Sequence, residues 1–201
     1  INTPVNASGF VVSAVYPSEG YMYVQPEARS FGVRVQGSVM GFVPGDRVAV
    51  SGVMSERMMQ NLPVERQISS GKLKLLGSGE PPQPLFMAGN RVGGGPFAGT
   101  VGVLDGVGIN NVGLLVTIVG EVTNILGSYI NLDDGSGVRD LLGRRGVFVR
   151  LPSSAGIARG DIVKVTGVIE GSIPLNWTVS RRFIRARTNA DIEVLAKAGS
   201  W

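Results

Sequence analysis

Arginine and aromatic side chains alternate near the end of this chain, and that pattern carries the first chemical suggestion. Residues 177–187 read WTVSRRFIRAR, with Arg181, Arg182, Arg185 and Arg187 interleaved with Trp177 and Phe183. In an extended strand successive side chains point to opposite faces. Arg181, Phe183, Arg185 and Arg187 then share one side, while Ile184 and Ala186 pack on the other. Guanidinium groups grip phosphates bidentately and stack on flat rings. Such groups beside aromatic rings suit a channel for single-stranded nucleic acid. The competing reading is a solvated strand face whose arginines discourage edge pairing.

Covalent and acid–base chemistry finds little material. The chain has no Cys and no His, so thiol nucleophiles, imidazole bases, disulfides and ordinary zinc sites are excluded together. Ser69-Ser70-Gly71-Lys72 has the S-x-x-K spacing of Ser/Lys acyl enzymes but lacks any supporting motif. Asp133-Asp134 is followed by Gly135-Ser136-Gly137, which reads as a hairpin turn before it reads as a metal or acid/base pair. Gly93-Gly94-Gly95 lacks the Lys-Ser/Thr of a phosphate loop. The sequence thus predicts no enzyme, no catalytic residue, no metal and no cofactor. Asn6-Ala7-Ser8 and Asn176-Trp177-Thr178 are glycosylation sequons, relevant only in a eukaryotic secretory pathway.

The elements that position these residues follow from composition and an internal repeat. Thirty Gly and eleven Pro in 201 residues favour short strands and tight turns. Residues 41–53, GFVPGDRVAVSGV, match residues 156–168, GIARGDIVKVTGV, at seven positions, among them Gly45/Gly160, Asp46/Asp161, Gly52/Gly167 and Val53/Val168. The shared content is a Gly-Asp turn, a strand with inward Val, and a Gly where the strand bends. Upstream, GVRV at 32–35 parallels GVFV at 146–149, and GYMYVQ at 20–25 parallels GSYINL at 127–132. Further strands are expected near 62–76 and 177–195. Each unit reads as five strands without a helix of ten or more residues. The boundaries are 1–78, 79–112 and 113–201, the middle segment being a Gly/Pro-rich linker that packs on the barrels.

Two five-stranded units, each with a G-D-x-V-x-V-[ST]-G-V fourth strand, resemble the OB-fold, the oligonucleotide/oligosaccharide-binding fold of bacterial nucleic-acid-binding domains. The second unit carries the pattern in order, with VGEV at 119–122, YINLDDGSG at 129–137, GVFV at 146–149 and GDIVKVTGV at 160–168. The first departs from it at QPEARSFG, residues 25–32, where the Asp-Gly turn is missing. The resemblance implies an all-β protein of two five-stranded Greek-key barrels, with ligand lying across the second and third strands of each. It specifies fold more than ligand.

Alternation then names the residues on those faces. With Ile130, Leu132, Val147 and Val149 inward, Tyr129, Asn131, Phe148 and Arg150 point outward. With Met22, Val24, Val33 and Val35 inward, Tyr21, Tyr23 and Arg34 point outward. Two rings, an amide and a guanidinium on one face suit base stacking and phosphate contact. The competing reading is that these rings are covered by the other barrel or by the linker.

The net charge is +4, and fifteen of the nineteen basic residues are Arg. This modest charge predicts weak to moderate, salt-dependent binding of single-stranded DNA or RNA with little sequence preference. The alternative is a scaffold module that meets a protein or glycan partner. No apolar run approaches the roughly 20 residues that span a bilayer, so membrane insertion is not expected. The chain begins at Ile1 and is poor in Lys. Those features leave the localisation open, with a secreted or envelope-associated setting slightly favoured over a cytoplasmic one.

Overall fold

The computed structural model describes residues 2–154 and 156–200. Among the described residues twelve strands run in chain order: β1 Thr3–Tyr16, β2 Tyr21–Pro26, β3 Val33–Gly37, β4 Arg47–Met59, β5 Leu62–Gly77, β6 Leu85–Phe86, β7 Leu115–Leu126, β8 Tyr129–Asp133, β9 Val147–Arg150, β10 Ile162–Ile169, β11 Phe183–Ala186 and β12 Ile192–Ala196. The helices described are three single 3-10 turns, Pro17–Glu19, Gly89–Arg91 and Asn189–Asp191. The chain is all-β, with two closed five-stranded mixed barrels joined in sequence.

The first barrel closes in the order β1-β2-β3-β5-β4, and β4 returns to β1. Its β3–β5 contact is parallel and the others are antiparallel. The second barrel repeats the arrangement as β7-β8-β9-β11-β10, with β10 returning to β7 and β9–β11 parallel. This order is compatible with tandem OB-like domains. Where the first barrel has one long β5, the second divides the same edge of β10 between β11 and β12. Residues 174–182 therefore form a loop, and only Phe183–Ala186 of the Arg-rich stretch is strand.

The repeated residues do the same work twice. Asp46 and Asp161 are buried, and each accepts the backbone N–H three residues earlier, from Val43 at 3.0 Å and from Ala158 at 2.9 Å. Each Asp carbonyl accepts the N–H of the first strand, from Val12 at 2.8 Å and Val122 at 2.9 Å. Just beyond, β1 and β7 each bulge, at Ser13 and Thr123. The bulged hydroxyls donate to the carbonyls of Tyr23 and Asn131. A bulge bends a strand and sharpens its twist, which is what closing so small a barrel demands. Gly52 and Gly167 sit where a Cβ would strike the backbone carbonyls of Ser69 and Arg185 on the neighbouring strand.

Alternation sends the expected side chains inward. Met22, Val24, Val33, Val35, Val48 and Val50 fill the first core, and Ile130, Leu132, Val147, Val149, Val163, Val165 and Ile184 fill the second. Between the barrels, residues 78–114 are irregular apart from β6 and one 3-10 turn. This segment touches both barrels. Val101 N–H donates to Pro63 O at 2.9 Å, Leu104 N–H to Ser180 O at 2.8 Å, and Val92 is buried in the second core.

Candidate functional site

Strand register builds the outer face of the second barrel as a small grid. Tyr129, Arg150 and Arg185 lie side by side on β8, β9 and β11, and Asn131, Phe148 and Phe183 form the next row. The first barrel repeats the grid with Tyr21 beside Gln36 and Tyr23 beside Arg34 and Gln67. All of these side chains point away from their own cores, as alternation requires. What covers them differs.

The first face is closed by the second barrel. Ala14, Tyr16, Tyr21 and Tyr23 form one buried cluster with Leu115 and Val168. Tyr21 is 2% exposed, Tyr23 0% and Arg34 8%. These three residues, expected to offer rings and a guanidinium to a ligand, meet another part of the same chain instead. The rings pack at 5.1 Å (Tyr16–Tyr21) and 5.9 Å (Tyr21–Tyr23).

An ion network threads the contact. Tyr23 Oη donates to Glu65 at 2.9 Å and Tyr21 Oη to Glu170 at 3.2 Å. Arg57 spans Glu65 at 3.1 Å and Glu170 at 3.3 Å. Arg34 stacks over Tyr21 at 3.8 Å and donates to Gln67. Arg185, expected at a ligand groove, pairs with Glu19, contacts Tyr21 Oη and covers Tyr16 at 3.8 Å. Arg187 donates to Ser13 O across the barrels and pairs with Asp191.

Burial sets the protonation of this network. It pushes the phenols of Tyr16, Tyr21 and Tyr23 upward. It also pushes the Glu65 carboxyl up to about 7, opposed by Arg57 and Arg34. Desolvation works against the Arg185 charge, but Glu19, Tyr21 and Glu170 outweigh it and raise its pKa. The hydrogen bond from Arg185 in turn holds Glu19 below the usual carboxylate range.

The second face stays partly open. Tyr129 stacks on Phe148 at 5.0 Å and 15°, and Phe148 on Phe183 at 6.0 Å and 29°. Arg181 lies over Phe148 at 4.0 Å and donates to Ser172 Oγ at 3.0 Å. Phe148, Phe183 and Asn131 are buried, Asn131 donating to Asp140 of the β8–β9 loop at 3.2 Å. Tyr129 and Arg150 remain half-buried. They line a cleft of about 260 Å³ with Tyr16, Ser128, Arg185 and Arg187, so both barrels contribute to its wall. The Arg150 side chain is 41% exposed, and its ion pair to Glu19 is long, at 3.9 Å. Trp177, 37% exposed on the loop before β11, makes no ring contact among the described residues.

The twelve residues singled out from sequence thus divide. Tyr21, Tyr23, Arg185 and Arg187 join the barrels, and Arg34 backs that joint from within the first barrel through Tyr21, Gln67 and Glu65. Asn131, Phe148 and Phe183 form a buried layer, over which the half-buried Arg181 lies. Tyr129 and Arg150 meet open space, and Trp177 stands apart on its loop. Sequence reasoning missed Glu19, Arg57, Glu65 and Glu170. The available signal was a Glu at position 65 inside a strand pattern, a residue type that is rarely buried unless paired.

The other chemistry stays quiet. Asp133 and Asp134 accept N–H groups of Gly135, Ser136 and Gly89, so turn geometry occupies both carboxylates. Ser69 Oγ donates to Val53 O. Among the described residues no group of three or more acidic side chains is placed to hold a metal ion, and no helix is long and apolar enough to cross a membrane. Neither a protein-family model nor a curated protein matches the chain.

Proposed function

We propose that this chain is a non-catalytic, OB-like binding module that takes single-stranded nucleic acid, with low sequence specificity, on its second barrel alone. The observation that carries this reading is the aromatic stack Tyr129–Phe148–Phe183. Its open end, Tyr129, stands beside the loosely held cation Arg150 in a cleft of the right polarity. A base stacks on the Tyr129 ring and its phosphate meets Arg150; base–aromatic stacking contributes roughly 1–3 kcal/mol per base. Phe148 and Phe183 back the tyrosine and fix its plane. The first barrel acts as a buttress, because its equivalent face is spent on the joint.

Fluorescence anisotropy of labelled single-stranded DNA, at low and at near-physiological salt, tests this reading. Each phosphate contacted should contribute a slope of about −0.7 in log affinity against log salt. With few free cations on this face, the slope is shallow but measurable. Absence of binding at low salt, or binding indifferent to salt, overturns it. The second reading is a protein-contact module. The exposed apolar side chains Phe86, Ile109 and Leu175 favour it, and salt-indifferent partner binding would point to it.

A further inference from the structure

The linker crosses the second barrel beside the β8–β9 loop and leaves a groove of about 460 Å³ between them. No residue of this groove lines the Tyr129 cleft. Three arginines from three separate segments line it: Arg91 from the linker's 3-10 turn, Arg139 from the β8–β9 loop and Arg182 from the approach to β11. Asp105 is the acidic side chain lining it, and Asn90 and Ser136 add neutral polar groups.

Arg182 is the unusual member. It is 9% exposed and donates to two backbone carbonyls, Leu104 O at 2.6 Å and Asp105 O at 3.3 Å. Its Nε is buried without a hydrogen-bond partner. Among the described residues no carboxylate lies within ion-pair distance of it. Desolvation draws its pKa down against the weaker attraction of the Asp105 carboxylate, which is beyond ion-pair distance, yet a guanidinium cannot discharge itself in a protein. A buried cation that can neither neutralise nor pair is costly unless an anion accompanies it. The partners of its neighbours do not supply one. Arg139 donates to the Gly143 carbonyl at 2.8 Å, and Arg91 is exposed.

We propose that this groove is an anion site that binds a phosphate group. Guanidinium donors match phosphate oxygens bidentately, and three of them outweigh the one carboxylate present. The volume suits a nucleotide-sized group better than a bare ion. Two sources share this chemistry: a small phosphate or phosphomonoester, and a phosphodiester of the strand proposed above. The site itself does not depend on that strand being bound.

Isothermal titration of the full chain with inorganic phosphate, against a chloride control of equal ionic strength, is the direct test. It is paired with the DNA anisotropy assay on the wild type, the Arg91→Gln/Arg139→Gln double variant and Arg150→Ala. Both arginines of the double variant are exposed, so its thermal melt should match the wild type. Phosphate should saturate the wild type and Arg150→Ala, and bind the double variant several-fold more weakly. If the double variant also loses DNA affinity, the source is a phosphodiester; if DNA affinity is unchanged, it is a small phosphate ligand. No saturable phosphate binding in the wild type, or equal affinity in the double variant, overturns the site. Phosphate binding without DNA binding keeps the site and rejects the nucleic-acid reading, so the two fail separately.

Discussion

Tyr21 and Tyr129 open the second strand of their respective barrels on the same outer face, yet one is sealed in a joint and the other borders a cleft. The scaffolds beneath them are alike down to the Asp clasp and the hydroxyl bulge. The difference comes from how the barrels meet. The first presents Ala14, Tyr16, Tyr21 and Tyr23 of β1 and β2 with Arg57 of β4 and Glu65 of β5, while the second answers with Leu115, Val168, Glu170 and Arg185, from around β7, β10 and β11. Val168 is 0% exposed, and its repeat counterpart Val53 is 36% exposed. The contact is therefore heterologous. An isologous packing would bury the same patch on both partners; this one buries the outer face of the first barrel and, apart from Arg185, leaves that of the second partly open.

The sharpest way to break that comparison is to remove one cation from each face. Arg57→Met leaves Glu65 and Glu170, both nearly fully buried, without their shared partner. It should cost about 3–5 kcal/mol of stability in urea unfolding. Arg150→Met, on the open face, should cost less than about 1 kcal/mol. Equal costs would mean that the two faces are not differently buried.

Acidity separates the faces next. The folded-state pKa of Glu65 lies above its unfolded value, at about 7. The folded chain therefore holds that proton more tightly. The resulting stability is present below the ordinary carboxylate value and is lost as pH rises through 7. The slope cannot exceed about 1.4 kcal/mol per pH unit for one proton, so the whole effect is on the order of 3 kcal/mol. Glu19 works in the opposite sense: its pKa is lowered, so its contribution is lost as pH falls. Unfolding followed from pH 5 to 8 should show stability declining in the wild type and flat in Glu65→Gln. A Glu65→Gln slope equal to wild type would place the titrating group elsewhere.

Gly52→Ala and Gly167→Ala probe the shared scaffold. Each new methyl would strike a backbone carbonyl across the sheet, at Ser69 and at Arg185. Each should cost about 1–3 kcal/mol, and thermal melts of the pair should fall together. The recurrence was legible in the sequence, where it reads as a bend in two Val-alternating strands; the close approach to the neighbouring carbonyl is what the structure adds. The core was legible for the same reason, since period-two alternation fixes which of Ile130, Asn131 and Leu132 turn inward. Solvent exposure was not. Alternation says that Tyr23 leaves its own core, but a second domain 90 residues on decides whether it meets water. The joint depends on Glu65, Glu170 and Arg57, which carry no local pattern that predicts their pairing. The loop at 174–182 escaped as well, because an Arg-rich run with β-formers reads as a longer strand than the four residues that pair.

Tyr129 gives the smallest expected change in stability and the most selective change in binding. Its ring stacks on Phe148 at the edge of the covered layer, and such a pair contributes about 0.5–1.5 kcal/mol. Tyr129→Ala should therefore lower the melting temperature only slightly and weaken single-stranded DNA several-fold in anisotropy. Tyr21→Phe supplies the contrast. It keeps the ring but removes the hydroxyl that Glu170 and Arg185 both contact, so it should cost stability and leave DNA affinity unchanged. If Tyr21→Phe weakened DNA as much as Tyr129→Ala, strand and joint would be communicating, and the first barrel would be more than a buttress. If neither moved DNA affinity, Tyr129 would be an edge ring of the packing layer, and the spared face would have to serve a different partner.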